Sequence, residues 1–210
     1  MSKVFYDKPI IDQIFEEFNK KGYELDQDKL IKLVSRLSPE DINKQNSGGY
    51  TALKFASHYG ITEMVKLLLE YKDINVNITG VCGYTALILA SLAKNIEIVK
   101  LLLKKEDINV NIKGDYGSTA LFWVSWNNCT EIVKLLLEHK DIDINVQGDD
   151  EYTPLMIAAE VGRTEIVELL LEHKDIDINI QNNHGDTALM IAFRKGHTEI
   201  VELLENHNST

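Results

Sequence analysis

Hydrophobic and polar positions recur along this chain with one long period. Thr-Ala-Leu begins at Thr51, Thr85, Thr119 and Thr187, and Thr-Pro-Leu at Thr153, so successive starts lie 34 residues apart. Glu-Met-Val at Glu63 is followed in the same register by Glu-Ile-Val at Glu97, Glu131, Glu165 and Glu199. Asn77, Asn111, Asn145 and Asn179 keep the same spacing. A fixed period of this length is the mark of a stacked-repeat architecture. Each period predicts two helices. Thr is a good N-cap for a short apolar helix such as Ala86-Leu87-Ile88-Leu89-Ala90. Thr62, Thr130, Thr164 and Thr198 are read as N-caps of a second helix, such as Ile132-Val133-Lys134-Leu135-Leu136-Leu137. That second helix is apolar over more than one stripe, as a helix buried from several sides should be. Asp141-Ile142-Asp143-Ile144-Asn145 alternates polar and apolar residues and predicts an extended finger. Gly49, Gly83, Gly117 and Gly185, two residues before Thr, suit a tight turn with positive φ.

These residues closely resemble the ankyrin repeat family. Its pattern is a Gly-x-Thr-Pro-Leu turn, two antiparallel helices and a finger ending in Val-Asn. Arg163-Thr-Glu-Ile-Val-Glu-Leu-Leu-Leu and Gly196-His-Thr-Glu-Ile-Val-Glu-Leu-Leu match it almost residue for residue, and the resemblance runs from about Asn46 onward. Ala replaces the turn Pro in four of five repeats. Lys54, Ile88, Phe122, Met156 and Met190 replace the family His, and Lys94 and Asn128 replace the Gly before the second helix. The fold implied is an all-α ankyrin-repeat solenoid of stacked helix-turn-helix units with projecting β-turn fingers. At roughly 10 Å per repeat it should be an elongated curved rod. The repeats expected are 46–79, 80–113, 114–147, 148–181 and 182–210.

Residues 1–45 lack the Thr-Ala-Leu signature but still predict a helix pair. Pro9 suits a first helical position. Ile10, Ile11, Ile14, Phe15 and Phe18 form one stripe, with Gly22 as a stop, and Leu30, Ile31, Leu33, Val34 and Leu37 form another. Stepping back 34 residues from Asn77 lands on Asn43. A degenerate first repeat acting as an N-terminal cap is expected. At the other end, Glu205 stands where Leu171 closes the preceding Leu run, which predicts a polar outer face there.

Composition narrows the chemistry. Of 210 residues, 44% are hydrophobic and 26% charged, as in a folded protein, and the net charge is −11. That balance, with no block of Lys and Arg, argues against nucleic-acid and anionic-membrane partners. Two distant cysteines, Cys82 and Cys129, give neither a zinc ribbon nor a disulfide framework. No signal-like or membrane-length apolar run occurs, and a cytoplasmic monomer is expected. Asp141-Ile-Asp143-Ile-Asn145 imitates a calcium loop, but Val146 stands at its sixth position and Tyr152 at its twelfth. His139 and His173, in equivalent places, are read as solvated helix ends. The Glu ladder is read as first-turn acids favoured by the helix dipole rather than a recognition stripe. No nucleotide, zinc-protease or serine-hydrolase motif is present. Neither catalysis, a cofactor nor a metal is expected.

The resemblance further implies that a partner protein is gripped by the turn tips and the ends of the first helices, which line a concave face. The residues at those places are Tyr50, Cys82, Tyr84, Asp115, Tyr116, Asp149, Asp150, Tyr152 and His184 in the turns. At the helix ends they are His58, Tyr59, Leu92, Trp126, Asn127, Glu160 and Arg194. Trp126, with Tyr84, Tyr116 and Tyr152, is the expected centre, since aromatic anchors dominate interface energetics. Trp123 is expected in the core, and the three Tyr before Thr are equally well read as packing residues. The implied function is a non-catalytic protein–protein interaction scaffold. Abundant Ile, Asn and Lys suggest an AT-rich genome, and with it the alternative of an adaptor or effector of an intracellular microbe or large virus. A small-ligand or enzyme-linked role would instead need a pocket with convergent polar groups.

Overall fold

The computed structural model describes residues 8–19 and 25–207. Over these it is built of helix pairs with no strand. The pairs are α1 (Ile10–Phe18) with α2 (Gln27–Val34), α3 (Ala52–Tyr59) with α4 (Thr62–Leu69), and α5 (Ala86–Leu92) with α6 (Ile96–Leu103). They continue with α7 (Ala120–Asn127) and α8 (Thr130–Leu137), α9 (Pro154–Glu160) and α10 (Thr164–Leu171), and α11 (Ala188–Lys195) and α12 (Thr198–His207).

The Thr before each first helix caps it. Thr51, Thr85, Thr119, Thr153 and Thr187 accept the backbone N–H three residues on, at 3.2–3.4 Å, each cap contributing about 1 kcal/mol. The second-helix Thr residues are not caps. The N-cap is the residue before them (Ile61, Cys129, Arg163) and makes no side-chain cap bond. The Thr hydroxyl reaches sideways instead: Thr130 donates to Glu165 and Thr164 to Glu199, at 3.1 and 3.3 Å. Lys100 also pairs with Glu131 at 3.1 Å and Lys134 with Glu165 at 3.7 Å. Glu131, Glu165 and Glu199 of the ladder thus link neighbouring pairs, while Glu63 pairs within its own helix with Lys66.

From α3 to α11 the first helices pack on each other more closely than the second helices do, whereas the N-terminal pair leans on its neighbour mainly through α2. The cause is legible in the side chains. Ser57, Ser91 and Ser125 and Ala159 are buried and let the next first helix approach, whereas the second helices carry Leu runs. Closer packing along the first helices favours curvature of the stack toward their side.

The fingers are tied by an Asn ladder. Each Asn Nδ2 donates to the carbonyl 30 residues ahead at 2.7 Å, and its Oδ1 accepts the N–H 32 residues ahead, for Asn43, Asn77, Asn111 and Asn145. Asn43 makes the same pair of bonds as the others, so residues before Asn46 share the register. The calcium-like string is absorbed by the same device, since Asp143 Oδ1 accepts the Asn145 N–H at 3.0 Å. His139 and His173 are half-buried, not solvated. Their Nδ1 atoms accept the N–H of Asp141 and Asp175 at 3.3 Å, which closes the turn after the helix.

At the N-terminal end, Phe15 and Phe18 are buried. Phe18 stacks on Phe55 at 4.5 Å and on Tyr59 at 5.8 Å. Glu17, fully buried, joins α1 to α2 by accepting from Lys29 Nζ at 2.7 Å and the Asp26 N–H at 3.2 Å. Pro9 is the N-cap rather than the first helical residue, because its ψ of 140° is extended. Gly22 lies outside the described residues. At the far end the polar face is confined to α12. Phe193, at the place of the buried Ser and Ala residues, is 77% exposed, and Met190 is 50% exposed.

Candidate functional site

A cleft of about 440 Å³ opens between α7, with the turn before it, and the turn that leads into α9. Its walls are Tyr116, Phe122, Trp123, Trp126 and Tyr152, and its rim carries Asp149 and Asp150. The local sequence explains the arrangement. Trp123 and Trp126 are one helical turn apart and share a face of α7. The Asp149 N–H donates to the Tyr116 carbonyl at 2.8 Å, which docks the acidic turn against the aromatic one. Arg163 Nε donates to the Trp126 carbonyl at 3.3 Å and holds the end of α7. Asn95 does the same for Ser57 in an earlier pair, at 2.8 Å.

Two features of the cleft run against stability. Tyr116 sits in the left-handed region at φ 60°, ψ 23°, a conformation costing a non-glycine residue about 1–2 kcal/mol. Its ring is 73% exposed and Trp126 is 46% exposed. Trp123 packs its ring edge-on against Tyr84 at 6.3 Å and Phe122 at 5.9 Å. Its Nε1 is buried without a hydrogen-bond partner, which costs about 1–3 kcal/mol. Strain and unpaired donors of this kind concentrate where a surface serves something other than folding.

A family model described as ankyrin repeats (3 copies) matches residues 24–114, 79–148 and 140–210, most of the chain. The chain belongs to the ankyrin repeat family. No curated protein matches it. On this ankyrin stack, five of the sixteen expected partner-binding residues converge in the cleft: Tyr116, Trp126, Asp149, Asp150 and Tyr152.

The other expected residues are dispersed along the ankyrin stack. Tyr50 stacks on Phe55 at 4.7 Å and is half-buried. Tyr84 leans on Trp123 from the adjoining turn, outside the cleft lining. Burial raises the phenol pKa of Tyr50, Tyr84 and Tyr152. Tyr59 belongs to the aromatic cluster of the cap, with His58 edge-on beside it at 5.1 Å. Leu92 packs on the core, and Asn127 is half-buried at the end of α7. Cys82 is exposed at its turn, its thiol pKa raised by a hydrogen bond to Asp115. Glu160 is held by Lys195 at 2.9 Å. Arg194 is held by Asp186 through two bonds of 3.0 and 2.7 Å, which lower the Asp186 pKa. His184 is exposed at the last turn. Phe122 and Trp123 belong to the cleft without having been read as site residues. The signal for Phe122 was its replacement of the family His.

Lys54, another replacement of that His, is buried with its Nζ 2.9 Å from the Gly49 carbonyl and 5.0 Å from the Tyr50 ring centre. Burial lowers its pKa to about 8. Among the described residues no three His, Cys, Asp or Glu side chains are grouped to hold a metal, and no helix is long and apolar enough to cross a membrane.

Proposed function

We propose that this chain is a non-catalytic scaffold that binds a partner protein on its concave side, centred on the cleft between the units 114–147 and 148–181. Ankyrin repeats generally mediate protein–protein interaction, and the finer assignment rests on one observation. Exposed aromatic rings, one of them on a strained backbone, gather at positions that differ from unit to unit, while the core positions repeat faithfully. The scaffold works as a monomer in the cytoplasm, where Cys82 and Cys129 stay as thiols. The test is capture of partner from the native cell with wild type and Trp126→Ala. Truncating a central aromatic anchor costs about 2 kcal/mol or more, roughly thirtyfold in affinity. Lys66→Ala, on an exposed helix-two position paired only with Glu63, serves as the control and leaves capture unchanged. Loss of capture with Lys66→Ala and not with Trp126→Ala would move the interaction to the other face.

A further inference from the structure

Charge around the cleft is one-sided. Asp149 and Asp150 are exposed and form no ion pair, and no Lys or Arg lines the cleft. The carboxylates one turn further along are already neutralised within the chain, Glu160 by Lys195 and Asp186 by Arg194. Two unpaired carboxylates therefore stand over aromatic walls, on a chain of net charge −11. Ring faces attract a cation through their quadrupole, most strongly for indole, and a carboxylate beside them completes a site for positive charge. A cation seated there would be attracted by both rim acids while its apolar surroundings limit screening.

We infer that the cleft receives an arginine side chain from a basic segment of the partner protein. The guanidinium is planar and weakly hydrated, so it stacks on an indole face while its fork donates to a carboxylate. Trp126 supplies the face, and Asp149 and Asp150 supply the acceptors. A lysine ammonium, compact and strongly hydrated, serves only the electrostatic part. This inference rests on the partner-binding reading above and specifies its ligand.

Tryptophan emission reads the site directly, because the chain has two tryptophans and both line the cleft. The probe is a nonapeptide of glycine, serine and lysine with one central arginine, compared with the same peptide carrying citrulline, a neutral analogue of nearly the same shape, at the centre. The arginine peptide is expected to give a saturable emission change that weakens with added salt. The citrulline peptide should bind about tenfold more weakly. The double variant Asp149→Asn/Asp150→Asn, at exposed positions that leave the fold intact, should lose a similar factor for the arginine peptide and most of the salt dependence. Equal binding of the two peptides, no saturable response, or indifference to the double variant overturns the inference. Partner capture separates this from the broader reading. If Trp126→Ala abolishes capture while Asp149→Asn/Asp150→Asn does not, the surface stands and the arginine falls; if neither variant affects capture, both fall.

Discussion

Glu151 occupies the turn position that the other full units give to Gly49, Gly83, Gly117 and Gly185, and it adopts the same left-handed backbone at φ 60°. Its side chain is exposed and forms no ion pair, so Glu151→Gly removes strain and little else. A left-handed conformation costs a non-glycine residue about 1–2 kcal/mol. Glycine loses about 0.4–1 kcal/mol more chain entropy on folding. The net expectation is a gain of about 0.5–1 kcal/mol, or about 2 °C in melting temperature for a chain of this size. The Gln147 bond to the Glu151 carbonyl, 2.9 Å, is kept because it uses backbone. Two reverse substitutions separate strain from contact. At Gly185 an added Cβ meets nothing within 4 Å, so Gly185→Ala should cost about 1 kcal/mol from strain alone. At Gly117 the Cβ would sit 2.6 Å from Asp149 Oδ1 and 2.8 Å from the Asp149 backbone N. Gly117→Ala should therefore cost clearly more and loosen the docking of the acidic turn. The assay is urea unfolding followed by circular dichroism, comparing midpoints at constant slope. A lower midpoint for Glu151→Gly, or equal losses for the two alanine variants, would refute the reasoning.

Three further outcomes are expected. Removing residues 1–40 strips the Phe15 and Phe18 rings from Phe55 and should cause aggregation or a lower melting temperature; an unchanged monomer would show that the segment is a tail. Asn111→Ala removes two bonds between fingers and should lower stability by about 2 kcal/mol, measured by urea unfolding. Lys54→Met should stabilise the protein at neutral pH by roughly 1–2 kcal/mol, because burial disfavours the charged amine; the Gly49 carbonyl keeps its bond from Gln45. With the folded pKa near 8 and the ordinary value at 10.5, the unfolded chain holds the extra proton between them, so wild-type stability rises with pH across that window. The advantage of Lys54→Met is full below pH 8 and shrinks above it; a difference independent of pH would refute the burial argument.

The repeat, the first-helix caps and the continuation of the register to Asn43 were legible because each is a local or periodic signal. The Thr residues of the second helices misled for the complementary reason. A Thr before an apolar run looks like a cap, but at Thr130 and Thr164 the hydroxyl is taken by a Glu 35 residues away, a partner created only by stacking. His139 and His173 looked like solvated ends because nothing in the sequence marks the N–H two residues on as their partner. Of the candidate site, Trp126 and Tyr116 could be placed by equivalence with other units. Which residues share one cleft could not, because it depends on how one turn leans on the next. Phe122 joins the wall and Tyr84 drops behind Trp123 for that reason. The open face at Phe193 was hidden by Glu205, which made the last unit look polar throughout.

The cleft beside α7 is the proposed seat of the partner. The most direct measurement is site-specific photocrosslinking in the native cell, with benzoylphenylalanine in place of Tyr116 on the cleft or of Lys134 on the exposed side of α8. A discrete adduct is expected from position 116, competed by unmodified protein and absent from position 134. Adducts from position 134 with none from position 116 would contradict it.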